Sequence, residues 1–211
     1  MRISIKGTIV PNDVAWIYDL FDEEHVAPAD VLKALEDADG EDVDIDINSG
    51  GGDVFAGSEI YSAIRAYKGN INIHVVGLAA SAASVIACAA HSDIAPTAQV
   101  MVHNVSSYAG GDYHDMDKMS KILKQANRSI AAAYVAKSGM SEADALDLMD
   151  KESWITASDA VEYGLIDEIA ESQNSNYEAV RLQNAAGGML PRSVIEKMQA
   201  KRNALLEYFT D

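Results

Sequence analysis

The sequence predicts an α/β domain with a largely parallel sheet, and three observations predict it. Strand-like and helical segments alternate from Ile3 to Ala90, the pattern of crossover-connected parallel strands. Two strand-to-helix junctions, at Gly50-Gly51-Gly52 and at Ser81, are built from residues with little or no side chain. The chain has 211 residues, 48% of them hydrophobic, which suits one domain with a substantial core.

In order, Ile3, Ile5 and Ile9 alternate with polar residues and predict a first strand. Pro11-Asn12-Asp13 is a cap for a helix from about Val14 that carries Trp16, Ile17 and Leu20. Ala29 to Leu35 is a second helix or its continuation, stopped near Gly40. Val43, Ile45 and Ile47 alternate with aspartates as a second strand, and three glycines turn it into a helix from Val54 to Tyr67. Ile71 to Val76 is a third strand, followed by the small-residue run Gly77 to Ala90, a helix almost without bulk. His91 to Pro96 is a short strand and turn, Gln99 to His103 a further strand, and Ser106 to Asp112 a loop. A long helix spans about Asp115 to Lys137, with Gly139 as its stop. Ser141 to Asp144 has capping-box character and opens a short helix to about Met149. Thr156 to Asp159 caps a helix that Gly164 ends, and Leu165 to Ile169 closes the core. Domain boundaries follow: a domain over 1–171, a polar linker over 172–188, and a helical tail over 189–211 that Pro191 starts and Arg192, Lys197, Lys201 and Arg202 make basic.

With 33 acidic against 16 basic residues the formal charge is −17. Such a surface repels nucleic acid and anionic membranes, so neither is expected as a partner. The single cysteine, Cys88, has no partner for an internal disulfide, which fits a reducing cytoplasm. No signal-peptide core opens the chain, and no apolar run approaches the ~20 residues of a membrane span.

Ser81 stands where a strand meets a helix. Free amides at a helix start carry partial positive charge and can stabilise an oxyanion beside the serine oxygen. The ordinary alternative is an N-cap on a tightly packed Ala/Ser helix. A serine nucleophile needs a base, usually histidine held by a carboxylate. His103 ends a strand and opens onto a loop, where catalytic groups gather in open sheets. His114 is the second candidate. His25 lies in a charged stretch expected to be solvated, His74 reads as packed, and His91 is too far along the helix axis. His103, His114, Asp112 and Asp115 match no metal-ligand spacing, so neither metal nor cofactor is expected.

Four blocks resemble the signatures of the ClpP serine peptidases: Asn48 to Gly52, Gly77 to Ser81, Val100 to Asn104, and Trp154 to Asp167. They fall in family order, and the resemblance covers Ile3 to Ile169. It implies a ClpP/crotonase-like superhelix of β-α-β units with a protruding long handle helix, the segment from Asp115 to Lys137. It implies Ser81 as nucleophile, His103 as general base, the amides of Gly52 and Ala82 as oxyanion hole, and Gly50, Gly51, Asp53 and Val105 around the substrate. The acid departs from the pattern: the family has aspartate where this chain has Glu152, with Asp150 as the alternative. A homo-oligomeric ring of six or seven subunits acting on protein or peptide substrates is implied as well, with stacking of rings left open.

A second departure sets the functional expectation. The family carries a segment before the first strand that forms axial pore loops, and this sequence starts almost at that strand. With the extra tail, it looks more like the ClpP-like proteases of phages and prophages, which process capsid or scaffold proteins without ATP. Docking to an unfoldase ATPase is left open, and the proteolytic core of an ATP-dependent Clp protease is the alternative. Three others stand beside it: a crotonase-type acyl-CoA enzyme, a serine–lysine peptidase using Lys68 or Lys118, and a non-catalytic ring subunit.

Overall fold

The computed structural model describes residues 1–170, so the expected linker and tail lie outside the described residues. In chain order the elements are β1 (Arg2–Ile9), α1 (Ala15–Phe21), β2 (His25–Val26), α2 (Pro28–Ala38), β3 (Val43–Gly52), α3 (Val54–Ala66), β4 (Ile71–Ala80), α4 (Ala82–Ala87), β5 (His91–Ile94), β6 (Gln99–Val102), α5 (Tyr113–Ser138), α6 (Glu142–Asp150), β7 (Ser153–Thr156), α7 (Ala157–Glu162) and β8 (Glu168–Ile169).

The strands β2-β1-β3-β4-β5-β8 form one sheet, parallel throughout. The alternation read from the sequence decides which face is inside. Ile3, Ile5, Val43, Ile45, Ile47, Ile71, Ile73 and Val75 share one core with Val31, Leu35, Ile60 and Ile64 of α2 and α3. Lys6, Asp44, Asp46, Asn72 and His74 point to the other, wetter face.

One strand does two jobs. Asn72 to Val75 of β4 pair with β5, and Leu78 to Ala80 pair with β6, also in parallel. Gly77 sits at the division, where a Cβ would lie 2.5 Å from Asn48 Oδ1. Asn48 Oδ1 accepts from Leu78 N at 3.1 Å, which ties the divided strand back to β3. β7 then pairs antiparallel to β6 with Ser153 opposite Val102, which brings the turn before β7 to the end of β6. This mixed α/β superhelix is the fold class read from the sequence.

α1 and α2 are separate helices, as the first of the two readings had it, because β2 intervenes. Four local details differ from the sequence expectations. Asn12 does not cap α1: its Oδ1 accepts from Ala29 N at 2.8 Å and ties down the start of α2, while Val14 begins α1 without a side-chain bond. The glycine run is no free turn, for Gly51 and Gly52 continue β3 and pair with Thr8 and Ile9. His25 is not solvated: it lies on β2 with its side chain 11% exposed and its ring 5.5 Å from that of Tyr18. The small-residue helix is short, since α4 ends at Ala87 and the chain re-enters the sheet at His91.

α5 starts two residues early because Asp112 and Asp115 form a reciprocal capping box at its head. Its C-terminal half is anchored by buried Ile130, Ala131, Ala133 and Tyr134. Its N-terminal half stands clear of the core, with Tyr113, Met116 and Ile122 exposed.

Candidate active site

Parallel pairing puts Ser81 beside His103. Ala80 lies opposite Met101, so the chain leaves β4 and β6 side by side. Ser81 N donates to Met101 O at 2.8 Å, and the next turn of each chain carries a functional group. His103 Nε2 is 2.8 Å from Ser81 Oγ. Ser81 occupies the N-cap position of α4 yet makes no capping bond, so the N-cap alternative fails. Its backbone, at φ 55° and ψ −123°, is a sharp elbow that few non-glycine residues adopt.

The glycine loop closes against that elbow. Gly51 has φ +89°, and a Cβ there would stand 2.6 Å from Ala80 O and 2.7 Å from Ser81 Cβ. Only glycine lets β3 approach so near. Ser49 supports the loop from beneath: its hydroxyl donates to Gly7 O at 2.6 Å and accepts from Gly51 N at 3.0 Å. Gly51 is therefore buried and braced, and it does not line the cleft as Gly50 and Gly52 do. Asp53 borders the cleft, but its carboxylate caps α3 by accepting from Phe55 N and Ala56 N. Ala82 contributes a first-turn amide for which α4 has no carbonyl.

The two candidate acids part company. Glu152 Oε1 is 3.7 Å from His103 Nδ1, an ion-pair distance too long for a hydrogen bond. It sits in the turn between α6 and β7 at φ 50°, with its side chain 73% exposed. Asp150 does not face the imidazole: its Oδ1 accepts from Asn104 Nδ2 at 2.7 Å. Asn104 Oδ1 in turn accepts from Asn127 Nδ2 at 2.8 Å, and Asn127 Oδ1 accepts from Val105 N at 2.8 Å. The segment after His103 is thus laced to α5 and α6, with Val105 on the cleft wall. Sequence reasoning missed Asn104, Asn127, Ser84 and Tyr134. A polar residue adjoining a candidate base was the available signal for Asn104; the others carry none.

A cleft of about 620 Å³ runs over this constellation, walled opposite Gly52 and Ser81 by Met119, Leu123 and Ala126 of α5. Its size and apolar wall suit a peptide segment. The other histidines lie elsewhere. His74 Nδ1 is 2.7 Å from Asp93 Oδ2 and Nε2 3.4 Å from Asp44 Oδ1. Burial pulls its pKa down, but the bond to and charge of Asp93, with Asp44 behind, outweigh this and hold it above the ordinary value. His91 meets Asp167 and Glu168, both at 3.3 Å. His114 stacks on Tyr113 in the first turn of α5. Among the described residues, no group of three or more His, Cys, Asp or Glu could hold a metal ion. No helix of the described residues is long and apolar enough to cross a membrane. Chemically, a hydroxyl at hydrogen-bond distance from an imidazole, beside tightly folded backbone amides, is equipped for acyl transfer.

Comparison with known proteins gives the same direction. The family model described as Clp protease matches residues 21–173. The ATP-dependent Clp protease proteolytic subunit 2 of Tropheryma whipplei is 26% identical over 171 residues, spanning 79% of this chain and 95% of that one. The ATP-dependent Clp protease proteolytic subunit of Bacteroides fragilis is 32% identical over 133 residues, 62% of this chain and 64% of that one. Among solved structures, a point mutant of ClpP1 from Listeria monocytogenes superposes with a TM-score of 0.65 at 23% identity, over 82% of this chain and 92% of the other.

Proposed function

Since this chain belongs to the Clp protease family, we propose that it is a serine endopeptidase in which Ser81 attacks the peptide carbonyl and His103 takes its proton. The 2.8 Å contact between Ser81 Oγ and His103 Nε2 carries the reading. With Nδ1 protonated and turned toward Glu152, Nε2 accepts from the hydroxyl and later returns the proton to the leaving amine. The Gly52 and Ala82 amides receive the oxyanion. Glu152 is the carboxylate that steadies the imidazolium, and Asp150 acts on the neighbouring residue by holding Asn104. Gly50 and Val105 flank the bound peptide backbone, with Gly51 and Asp53 shaping the loop beneath it. No metal or cofactor enters the scheme.

Hydrolysis of a fluorogenic peptide library tests it. Activity that vanishes in Ser81→Ala and in His103→Ala supports the reading, and activity that persists in either removes it. The crotonase-type alternative has no need of that pair. The serine–lysine alternative finds no buried lysine in its two candidates, since Lys68 borders a separate depression between α2 and α3 and Lys118 is exposed on α5.

Between the two proteolytic readings, the relatives favour the ATP-dependent one. Both curated relatives are named as proteolytic subunits of an ATP-dependent Clp protease, and neither name refers to a capsid or a phage. We therefore place the proteolytic core of an ATP-driven machine ahead of the ATP-independent, capsid-processing protease. A ring of six or seven copies in the cytoplasm fits this reading. The exposed Tyr113, Met116 and Ile122 on α5 supply apolar surface for such assembly. Copurification of an active ring with a Clp ATPase supports it, whereas peptide and protein hydrolysis indifferent to any ATPase returns the capsid reading to first place.

A further inference from the structure

The strained elbow at Ser81 has a support that the catalytic scheme does not use. Ser84 Oγ lies 2.6 Å from the carbonyl oxygen of Ser81, and Tyr134 Oη lies 2.8 Å from Ser84 Oγ. Ser84 is 1% exposed and Tyr134 2%. A carbonyl cannot donate, so the single hydroxyl proton of Ser84 goes to it. The phenol must then donate to Ser84. A one-way chain results, from Tyr134 O–H to Ser84 Oγ–H to the carbonyl of Ser81. The same carbonyl also accepts from Ser84 N at 3.0 Å and Val85 N at 3.4 Å.

That carbonyl and the N–H of Ala82 belong to one peptide unit. The described chain has no cis peptide bond, so the two groups point in opposite directions across a rigid plane. Fixing the oxygen inward aims the Ala82 N–H outward. Hydrogen bonds onto the oxygen also polarise the unit and strengthen its N–H as a donor. The elbow needs such restraint, because a non-glycine backbone at φ 55° and ψ −123° is strained. In the preceding peptide unit Ser81 N is pinned to Met101 O, so the backbone on either side of the Ser81 Cα is held.

We propose that Tyr134 is a positioning residue which, through Ser84, holds the Ser81–Ala82 peptide so that its N–H faces the oxyanion. The proposal rests on the serine peptidase reading of the site. It gives α5 a second role, because its buried half reaches the oxyanion donor while its outer half stands in solvent. Burial pushes the Tyr134 phenol pKa well up, so it remains a donor at any working pH.

The test uses the full chain and the variants Tyr134→Phe, Ser84→Ala and Ser84→Ala/Tyr134→Phe. The measurements are kcat and KM on a fluorogenic peptide and the inhibition constant of a peptide boronate, which places an anionic oxygen in the hole. Each single variant lowers kcat on the order of 10-fold, less than outright loss of a donor, with KM unchanged. Boronate affinity falls by the same factor, the pH–rate profile keeps its shape, and the double variant is no worse than the singles. A kcat within twofold of wild type in both single variants overturns the proposal. So does a lowered kcat with undiminished boronate affinity. If Tyr134→Phe fails to fold, Ser84→Ala decides alone. Ser81→Ala separates the levels: its inactivity with unimpaired Ser84 and Tyr134 variants refutes only the positioning role, and its retained activity refutes the site reading beneath.

Discussion

The two sides of His103 are built to different standards. On the nucleophile side, Ser81, Ala82, Gly51 and Ser84 are packed backbone against backbone, and every element belongs to the sheet core or to the buried helix upon it. On the acid side, Glu152 sits on an exposed turn with its carboxylate 3.7 Å from the imidazole. On the proposed reading, the difference follows from what each side must do. An oxyanion donor and a nucleophile have to be held to fractions of an ångström, and buried main chain holds best. An acid that orients a ring can sit on a flexible arm, provided the turn carrying it can close.

Experiments that break this contrast range from large effects to small. Ser81→Ala lowers kcat by on the order of 10³-fold or more, which a peptidase assay reads directly. Gly51→Ala forces a side chain into the elbow and costs on the order of 10²-fold in kcat, with a lowered thermal midpoint, since the clash is with backbone that cannot move aside. Glu152→Ala costs on the order of 10- to 100-fold, short of the roughly 10⁴ that follows loss of a buried triad acid. Asp150→Ala costs less than Glu152→Ala, because it reaches His103 only through Asn104. A larger loss in Asp150→Ala than in Glu152→Ala reverses the assignment of the two acids.

The smallest effects concern pH and lie outside the site. His74 has its folded pKa raised above the ordinary 6.5, so its contribution is fully present below that value and disappears as pH rises through the folded pKa. Asp167 behaves oppositely. Burial opposes its ionisation, but Lys137, the Ser92 amide and His91 together hold its pKa below the ordinary 3.8. Its contribution is present above that value and is lost as pH falls through the lowered pKa. His74→Gln therefore destabilises in mild acid and not in alkali, and Asp167→Asn destabilises at neutral pH and not in strong acid. Shifts of about 2–4 °C in Tm are expected in each case, measured by calorimetry across pH.

Much of the fold was legible in the sequence. Period-two alternation in Ile3 to Ile9, Val43 to Ile47 and Ile71 to Val75 marks the core strands, because a half-covered sheet demands it. The long helix and its glycine stop were equally plain. What stayed hidden was the third dimension of short polar groups. Nothing in the spacing of Ser84 and Tyr134, fifty residues apart, announces a shared hydrogen bond. Asn12 sits where a helix cap is read, yet the chain bends to give it to α2. His103 could be ranked first as the base from its place at a strand end, but its contact with Ser81 could not be read, since the parallel register that joins them is a tertiary property. The choice between Glu152 and Asp150 turned on which way a turn residue with positive φ aims its side chain, and no local signal fixes that.

The central claim is that Ser81 is made nucleophilic by His103. Labelling the intact protein with a fluorophosphonate probe, followed by peptide mapping in a mass spectrometer, tests it most directly. The account predicts one modified residue per chain, Ser81, with labelling abolished in His103→Ala and slowed but not abolished in Glu152→Ala. Modification at another residue, or undiminished labelling of Ser81 without His103, contradicts it.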